Sequence, residues 1–397
     1  MRRLLALPLL LAAAACATAP GPASPPPAHA AHVWATFDAA GIRASGAEGL
    51  ADPAAGRALT IEDPVRIASI TKLVVALGAL RLAEQGRIDL DADVSDRLGW
   101  RLRNPAFPDR PVTLRMLLSH TSSLTDDADY VIPLGETVRA TVENPKAFDA
   151  RHPPGTWFRY SNLNFPVAAS VMEAATGERF DRLMDRIVLK PLGLEACFNW
   201  STCGDGAIAR AVVLIAPDGT VVRDDLKGAR PACPVVPAAD GSCDLAAYPL
   251  ASNGALFAPQ GGLRISVADL ASVGMLLLRE GRLADGTEFL PPARIAEMVR
   301  PVWRFDGSNG ETEGGFYCGY GLAVQVLASC APKDDPFGDG RTRFGHAGDA
   351  YRLKSGLWID PERRTGIAYF ATGVAEDAPK GRSAYPAIEE WLAAKGR

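Results

Sequence analysis

The chain has 397 residues, of which 48% are hydrophobic and 22% charged, and it carries a formal net charge of −4. That balance fits a globular product of enzyme size and is not basic enough for a nucleic-acid-binding surface. After the N-terminal segment no apolar run is long enough to cross a bilayer.

The first sixteen residues read as an export signal. Arg2 and Arg3 precede an apolar stretch from Leu4 to Ala15, broken only by Pro8 and too short to span a membrane as a stable helix. Cys16 after Ala13-Ala14-Ala15 resembles a bacterial lipoprotein cleavage site, with Ala where Leu usually stands three residues before the Cys. Small-residue sites at Ala17-Thr18-Ala19 and Ala28-His29-Ala30 offer an ordinary signal peptidase an alternative. Both readings place the protein outside the cytoplasm, in the periplasm as a lipoprotein held by a lipid on Cys16 or as a soluble secreted form. Residues 17–31, rich in Pro and Ala, read as an extended tether. Residues 32–397 form the remaining unit.

Within that unit His32 to Phe37 and Gly41 to Ser45 read as two short strands, followed by a Gly- and Asp-rich loop leading to Val65-Arg66-Ile67. Ser69-Ile70-Thr71-Lys72 comes next. Residues i and i+3 share a helix face, so the Lys72 amine can draw the proton from the Ser69 hydroxyl, and the helix start favours developing negative charge. Alone the pair carries little, since an ordinary buried helix with a Ser cap has the same pattern. The helix from Ile70 to about Gln85 is apolar nearly all round, which requires burial in the middle of the molecule. Asp89, Asp91 and Asp93 lack the Gly and Glu of a calcium loop and read as a solvated turn.

Thr113 is placed to cap Leu114 to Leu118, and His120, in the polar loop Ser119 to Leu124, reads as a hydrogen-bonding loop residue. A turn at Pro153-Pro154-Gly155 leads to Tyr160-Ser161-Asn162, and a helix then runs from about Asn164 to Ala175, closing at Gly177. Tyr160 is useful as a proton acceptor near neutral pH only if a neighbouring ammonium such as Lys72 pulls its pKa down. Asn162 offers a donor and an acceptor for fixing Lys72 and a substrate amide.

Seven Cys are present. Apart from Cys16 they fall as sequence neighbours: Cys197 with Cys203, Cys233 with Cys243, and Cys318 with Cys330. In an oxidising compartment three local bridges are the simplest connectivity, each worth roughly 2–3 kcal/mol in the chain-entropy model. No His lies at ligand spacing for zinc. A strand pair is expected at Ala211 to Ile215 and Thr220 to Arg223. Gln260-Gly261-Gly262-Leu263 reads as a turn leading to a helix capped by Ser266; its glycines either let backbone approach a cleft or merely tighten the turn. Near the end, His346-Ala347-Gly348 precedes a strand at Leu353 to Ile359, a returning strand at Ile367 to Ala371 and a terminal helix around Ala387 to Ala394. If the His346 strand runs beside the Ser69 helix, a main-chain N–H just beyond Gly348 faces an oxyanion.

Together Ser69-x-x-Lys72, Tyr160-x-Asn162 and His346-x-Gly348 resemble the three motifs of the serine β-lactamase and penicillin-binding-protein superfamily, in its class C-like branch of β-lactamases, DD-peptidases, D-aminopeptidases and family VIII esterases. The resemblance covers residues 32 to 397. It implies an α/β fold, an antiparallel sheet flanked by helices with a mainly helical domain inserted and the active site between them. It also implies a serine hydrolase without metal or organic cofactor, acting on a small ester, amide or peptide, and monomeric. Ser69 is the expected nucleophile, Lys72 and Tyr160 its bases, Ser69 and Asp349 the N–H donors to the oxyanion, Asn162 the residue orienting Lys72 and the acyl side chain, and His346 and Gly348 substrate-binding residues. Two departures stand out: His346 replaces the Lys of β-lactamases, which favours a carboxylesterase-like activity over a class C-type β-lactamase or D-specific peptidase, and Ser123 stands where related sequences often have Gly. Arg343, Arg352 and Lys354 are the neighbours able to supply the missing cation. An exported binding or scaffold protein that has lost turnover is the alternative of a different class.

Overall fold

The computed structural model describes residues 26–397, so the export signal expected at 1–16 and most of the tether lie outside the described residues. The tether ends earlier than Ala31. Ala30 N–H donates to Thr372 O at 2.8 Å, and Ala31 is already buried and paired with Thr372, because the last strand of the sheet leaves acceptors for it.

The sheet is built from both ends of the chain. Its strands are β1 (Ala31–Asp38), β2 (Ile42–Glu48), β3 (Trp303–Arg304), β4 (Gly319–Tyr320), β5 (Gln325–Val326), β6 (Phe344–Ala350), β7 (Leu353–Asp360) and β8 (Thr365–Thr372). They lie in the order β3-β4-β5-β6-β7-β8-β1-β2, and each neighbouring pair is antiparallel. Alternation decides what each face receives. Val33, Ala35 and Phe37 of β1 are fully buried on one face, where helix α4 (Val267–Leu278) packs so closely that a Cβ on Gly274 would strike the Phe37 ring. The other face packs Trp358, Ile367 and Tyr369 against Ile388 and Leu392 of the terminal helix α5 (Ala387–Ala393).

Between the two ends of the sheet the chain is mainly helical. Helix α1 (Thr71–Glu84) buries every residue from Thr71 to Leu80, as its all-round apolar sequence demands, and runs through the centre against α3 (Asn164–Thr176). Thr113 caps α2 (Leu114–Leu118) by accepting the Met116 N–H at 3.2 Å, Ser266 caps α4 through Asp269 N–H at 3.0 Å, and Gly177 ends α3 in the left-handed region. Ser123 sits at φ 66°, the conformation that Gly adopts without cost, and its Oγ accepts from Asn104 Nδ2 at 3.1 Å. Asp91 and Asp93 are engaged by Arg115 and Arg103. Several short strands were not expected, β3 to β5 of the sheet and Leu263–Ile265 among them; the last pairs on one side with Val65–Arg66 and on the other with Cys197–Phe198. Three residues flanked by Gly262 and the Ser266 cap are too few to show alternation in sequence.

The bridges Cys197–Cys203, Cys233–Cys243 and Cys318–Cys330 are formed, with Cα separations of 5.1, 5.9 and 5.8 Å. Thiol titration of denatured, unreduced protein is therefore expected to find no free thiol among these six. Peptide mapping that joined Cys197 to any residue other than Cys203 would contradict the pairing.

Candidate active site

Ser69 lies in a single 3₁₀ turn, Ala68–Ile70, that runs directly into α1. It caps nothing: its Oγ is committed to Lys72, and Ala68 before it stands at φ 54°. A non-glycine residue in that region costs about 1–3 kcal/mol and persists only where the surroundings enforce it. The enforcement is visible. Strand β6 passes so close that a Cβ on Gly348 would come within 2.5 Å of Ile67 O, and Ser355 Oγ on β7 donates to the same carbonyl at 3.0 Å. Gly348 thus lets β6 press against the turn that carries Ser69.

Lys72 is fully buried, and its Nζ has three neighbours: Ser69 Oγ at 3.0 Å, Asn162 Oδ1 at 2.9 Å and Gln260 O at 2.7 Å. Burial pulls its pKa from 10.5 down to about 7, with Asp126 opposing. A neutral amine has two N–H groups and one lone pair. The two carbonyl oxygens take the N–H groups, which leaves the lone pair for the Ser69 hydroxyl proton. Gln260 joins the site through its backbone, so of the two readings of Gln260-Gly261-Gly262 the close approach to the cleft is the one realised. Because proton abstraction needs neutral Lys72, kcat/KM is expected to fall about tenfold per pH unit below pH 7 and to level off above it. A profile flat from pH 5 to 9 would contradict this.

Tyr160 differs from expectation. Burial raises its pKa well above 10, and Lys72 does not offset this because Nζ lies over the ring face, 4.9 Å from its centroid, rather than beside the hydroxyl. The ring is stacked between His120 at 4.2 Å and Tyr317 at 4.9 Å, and Oη makes no well-formed hydrogen bond among the described residues, although the Ser69 and Tyr317 hydroxyls pull against the shift. Tyr160 is therefore a neutral phenol with its proton in place.

His346 also differs. Its Nδ1 donates to Ala347 O at 2.5 Å, so Nε2 accepts from the Tyr320 hydroxyl at 2.8 Å and the ring is neutral. Burial and Lys72 hold its pKa at about 3. The side chain is 1% exposed and does not reach the cleft, which β6 lines with Ala347, Gly348 and Asp349, so a direct role in binding substrate is withdrawn. The neighbouring cations are spoken for: Lys354 pairs with Asp349, Arg343 with Asp339 and Arg352 with Glu376.

One residue that orders the site, Asp126, escaped sequence reading. Asp126 accepts from Ser161 Oγ at 2.8 Å, Asn162 N at 2.9 Å, Asn162 Nδ2 at 2.9 Å and Leu163 N at 3.0 Å, which turns Asn162 Oδ1 toward Lys72. Nothing in its local sequence distinguishes it from its neighbour Asp127. His120 is the hydrogen-bonding loop residue expected, and its ring also borders the site. Its Nδ1 accepts from Ser161 N and Asn164 Nδ2, both at 3.1 Å, and its ring backs Tyr160. Asp126→Ala is expected to lower kcat by about 10- to 100-fold with a smaller change in KM, since it frees Asn162 without touching substrate. Equal effects on both constants would remove it from the site.

Ser69, Tyr160, Asn162, Gly348 and Asp349 all line one open cleft of about 940 Å³, under which Lys72 lies. The Beta-lactamase family model matches residues 28–388, nearly the whole chain and all of these positions. The chain belongs to the beta-lactamase family. Esterase EstB of Burkholderia gladioli is 35% identical over 170 residues, 38% of this chain and 42% of that protein. The D-alanyl-D-alanine-carboxypeptidase/endopeptidase AmpH of Escherichia coli K12 is 29% identical over 143 residues, 34% of this chain and 36% of that one. These matches span less than half the length of either relative. D-amino acid amidase from Ochrobactrum anthropi SV3 superposes with a TM-score of 0.65 at 19% identity, covering 92% of both chains, a likeness of fold.

Proposed function

We propose that this protein is an exported serine hydrolase that works through an acyl-enzyme on Ser69 and prefers esters. The observation that carries the reading is the Lys72 amine, held 3.0 Å from Ser69 Oγ by two carbonyl acceptors and brought to a pKa of about 7. Lys72 takes the Ser69 proton as Oγ attacks the carbonyl carbon, and main-chain N–H groups of Ser69 and Asp349 receive the oxyanion. Lys72 then passes that proton to the leaving oxygen, while Tyr160, a neutral phenol facing the same cleft, donates a hydrogen bond to it. Water repeats the cycle to release the acid.

The preference for esters rests on the missing cation at position 346, together with the match to esterase EstB. An alkoxide or phenoxide leaves with less proton assistance than an amine. Export rests on residues 1–16 and on three disulfides, which persist in an oxidising compartment. Lipid anchoring through Cys16 predicts that Cys16→Ser releases the protein from membranes.

A fluorophosphonate probe tests the hydrolase reading, with mass addition expected on Ser69; an unlabelled protein would be a binding protein that has lost turnover. Rates on p-nitrophenyl butyrate, nitrocefin and a D-amino acid amide then decide the class. The ester is expected to give the highest kcat/KM, whereas a lead for nitrocefin or the amide would replace this reading by the β-lactamase or D-peptidase one.

A further inference from the structure

Three residues before the nucleophile, Arg66 forms a strand pair with Arg264, so two guanidiniums stand side by side in the wall of the cleft. Like charges directly opposite on paired strands are destabilising, and here both side chains are more than nine-tenths buried. Only Arg264 is neutralised. Its Nη2 donates to Asp224 Oδ1 at 2.9 Å, its Nη1 to Asn199 Oδ1 and Gly262 O, and Trp200 Nε1 completes the Asp224 site at 3.0 Å. Arg66 makes no side-chain hydrogen bond and no ion pair among the described residues, and its Nε and Nη1 are buried without a partner. Burial and the Arg264 charge press against its ionisation, with Tyr351 and Asp224 only partly compensating through space.

The surroundings of Arg66 are arranged at some cost. Tyr351 and Arg352 form the two-residue turn between β6 and β7 with φ of 53° and 63°, a conformation in which Asn and Gly are the usual occupants. The turn holds the Tyr351 ring between two cations: Arg66 Cζ lies 4.9 Å from its centroid and Arg223 Cζ 5.0 Å. Arg223 also lines the cleft, as do Asp224 and Asp225, so three guanidiniums face two carboxylates along this wall. A buried guanidinium with free donors in the wall of a cleft that holds a reactive serine is a receptor for a planar anion, which would satisfy its donors in pairs.

We propose that Arg66, flanked by Arg223 and shaped by Tyr351, is the subsite for a carboxylate carried by the substrate, so that the natural ester is an anionic one. The inference rests on the hydrolase reading above for its catalytic readout. It assigns to the wall beside Ser69 the recognition that His346 does not provide.

The test compares esters that differ only in charge: p-nitrophenyl hemiglutarate against its methyl-capped diester for a carboxylate in the acyl part, and 4-butyryloxybenzoate against its methyl ester for one in the leaving part. In at least one pair the wild type is expected to favour the anionic member about tenfold or more in kcat/KM, chiefly through KM. Arg66→Gln should lower that charged-to-capped ratio at least about tenfold, and Arg66→Lys should restore part of it. The ratio is internal to each preparation, so a partly folded variant does not disturb it. A wild type without preference in either pair, or an Arg66→Gln protein that keeps the preference, overturns the proposal. If the wild type hydrolyses none of the four esters, the hydrolase reading fails instead. Calorimetric titration of glutarate into wild type and Arg66→Gln then tests the subsite alone, with binding expected only to the wild type and equal behaviour of the two overturning it.

Discussion

Replacing Ser69 by Ala is expected to lower kcat/KM on the preferred ester by on the order of 10⁴ or more while the thermal midpoint changes little. The two halves of that expectation have separate causes. Ser69 Oγ is the one atom that the Lys72 lone pair addresses, so no neighbouring hydroxyl replaces it; Tyr160 Oη makes no well-formed hydrogen bond among the described residues, and burial keeps its proton in place. The fold, in contrast, uses Ser69 sparingly. Its side chain caps no helix, and Ala fits a turn in which Ala68 already adopts the strained position. Initial rates on p-nitrophenyl butyrate with a parallel melting curve check both. A variant with near-wild-type rates would remove Ser69 as the nucleophile.

Lys72→Met carries the second large effect, and it couples activity to stability. Loss of the base should cost about 10³- to 10⁴-fold in kcat/KM, because water cannot enter the buried position to take its place. The stability effect depends on pH. The folded pKa of Lys72 is about 7 against 10.5 in the unfolded chain, so between these values the unfolded state binds more protons than the folded state, and wild-type stability rises with pH. Below pH 7 the folded protein must hold the amine charged and buried, at a cost of a few kcal/mol for a shift of this size. Methionine removes that cost and leaves Asn162 Oδ1 and Gln260 O without their donor, a loss of about 1–3 kcal/mol each that does not vary with pH. Urea unfolding at pH 6 and pH 9.5 should therefore show the wild type gaining on Lys72→Met as pH rises. A constant difference between the two proteins would mean that Lys72 is not buried near neutrality.

Much of this molecule was legible from spacing along the chain. A helix apolar on all faces between Ser69 and Gly86 has only one place to go. Strands β6 to β8 announce themselves by length and turns, and cysteines 6, 10 and 12 residues apart close bridges within their own loops. The i, i+3 rule sufficed to place Lys72 beside Ser69, since both belong to one helical start. Motif order carried Asn162 and Gly348 to the same cleft.

Tertiary structure decided how those groups ionise and what they face, because both depend on segments far apart in sequence. The Lys72 pKa follows from burial beneath residues 162 and 260, and the Tyr160 hydroxyl keeps its proton because His120 and Tyr317 exclude water from it. His346 occupies the expected position on β6, yet Tyr320, twenty-six residues earlier, takes its Nε2 and withdraws it from substrate. Asp126 and Arg66 have no local signature. One matters because four donors from residues 161 to 163 converge on it, the other because folding sets it against Arg264 and leaves it no carboxylate. Periodicity determines which face of an element is buried; the dielectric and the partners around a buried charge are properties of the assembled chain.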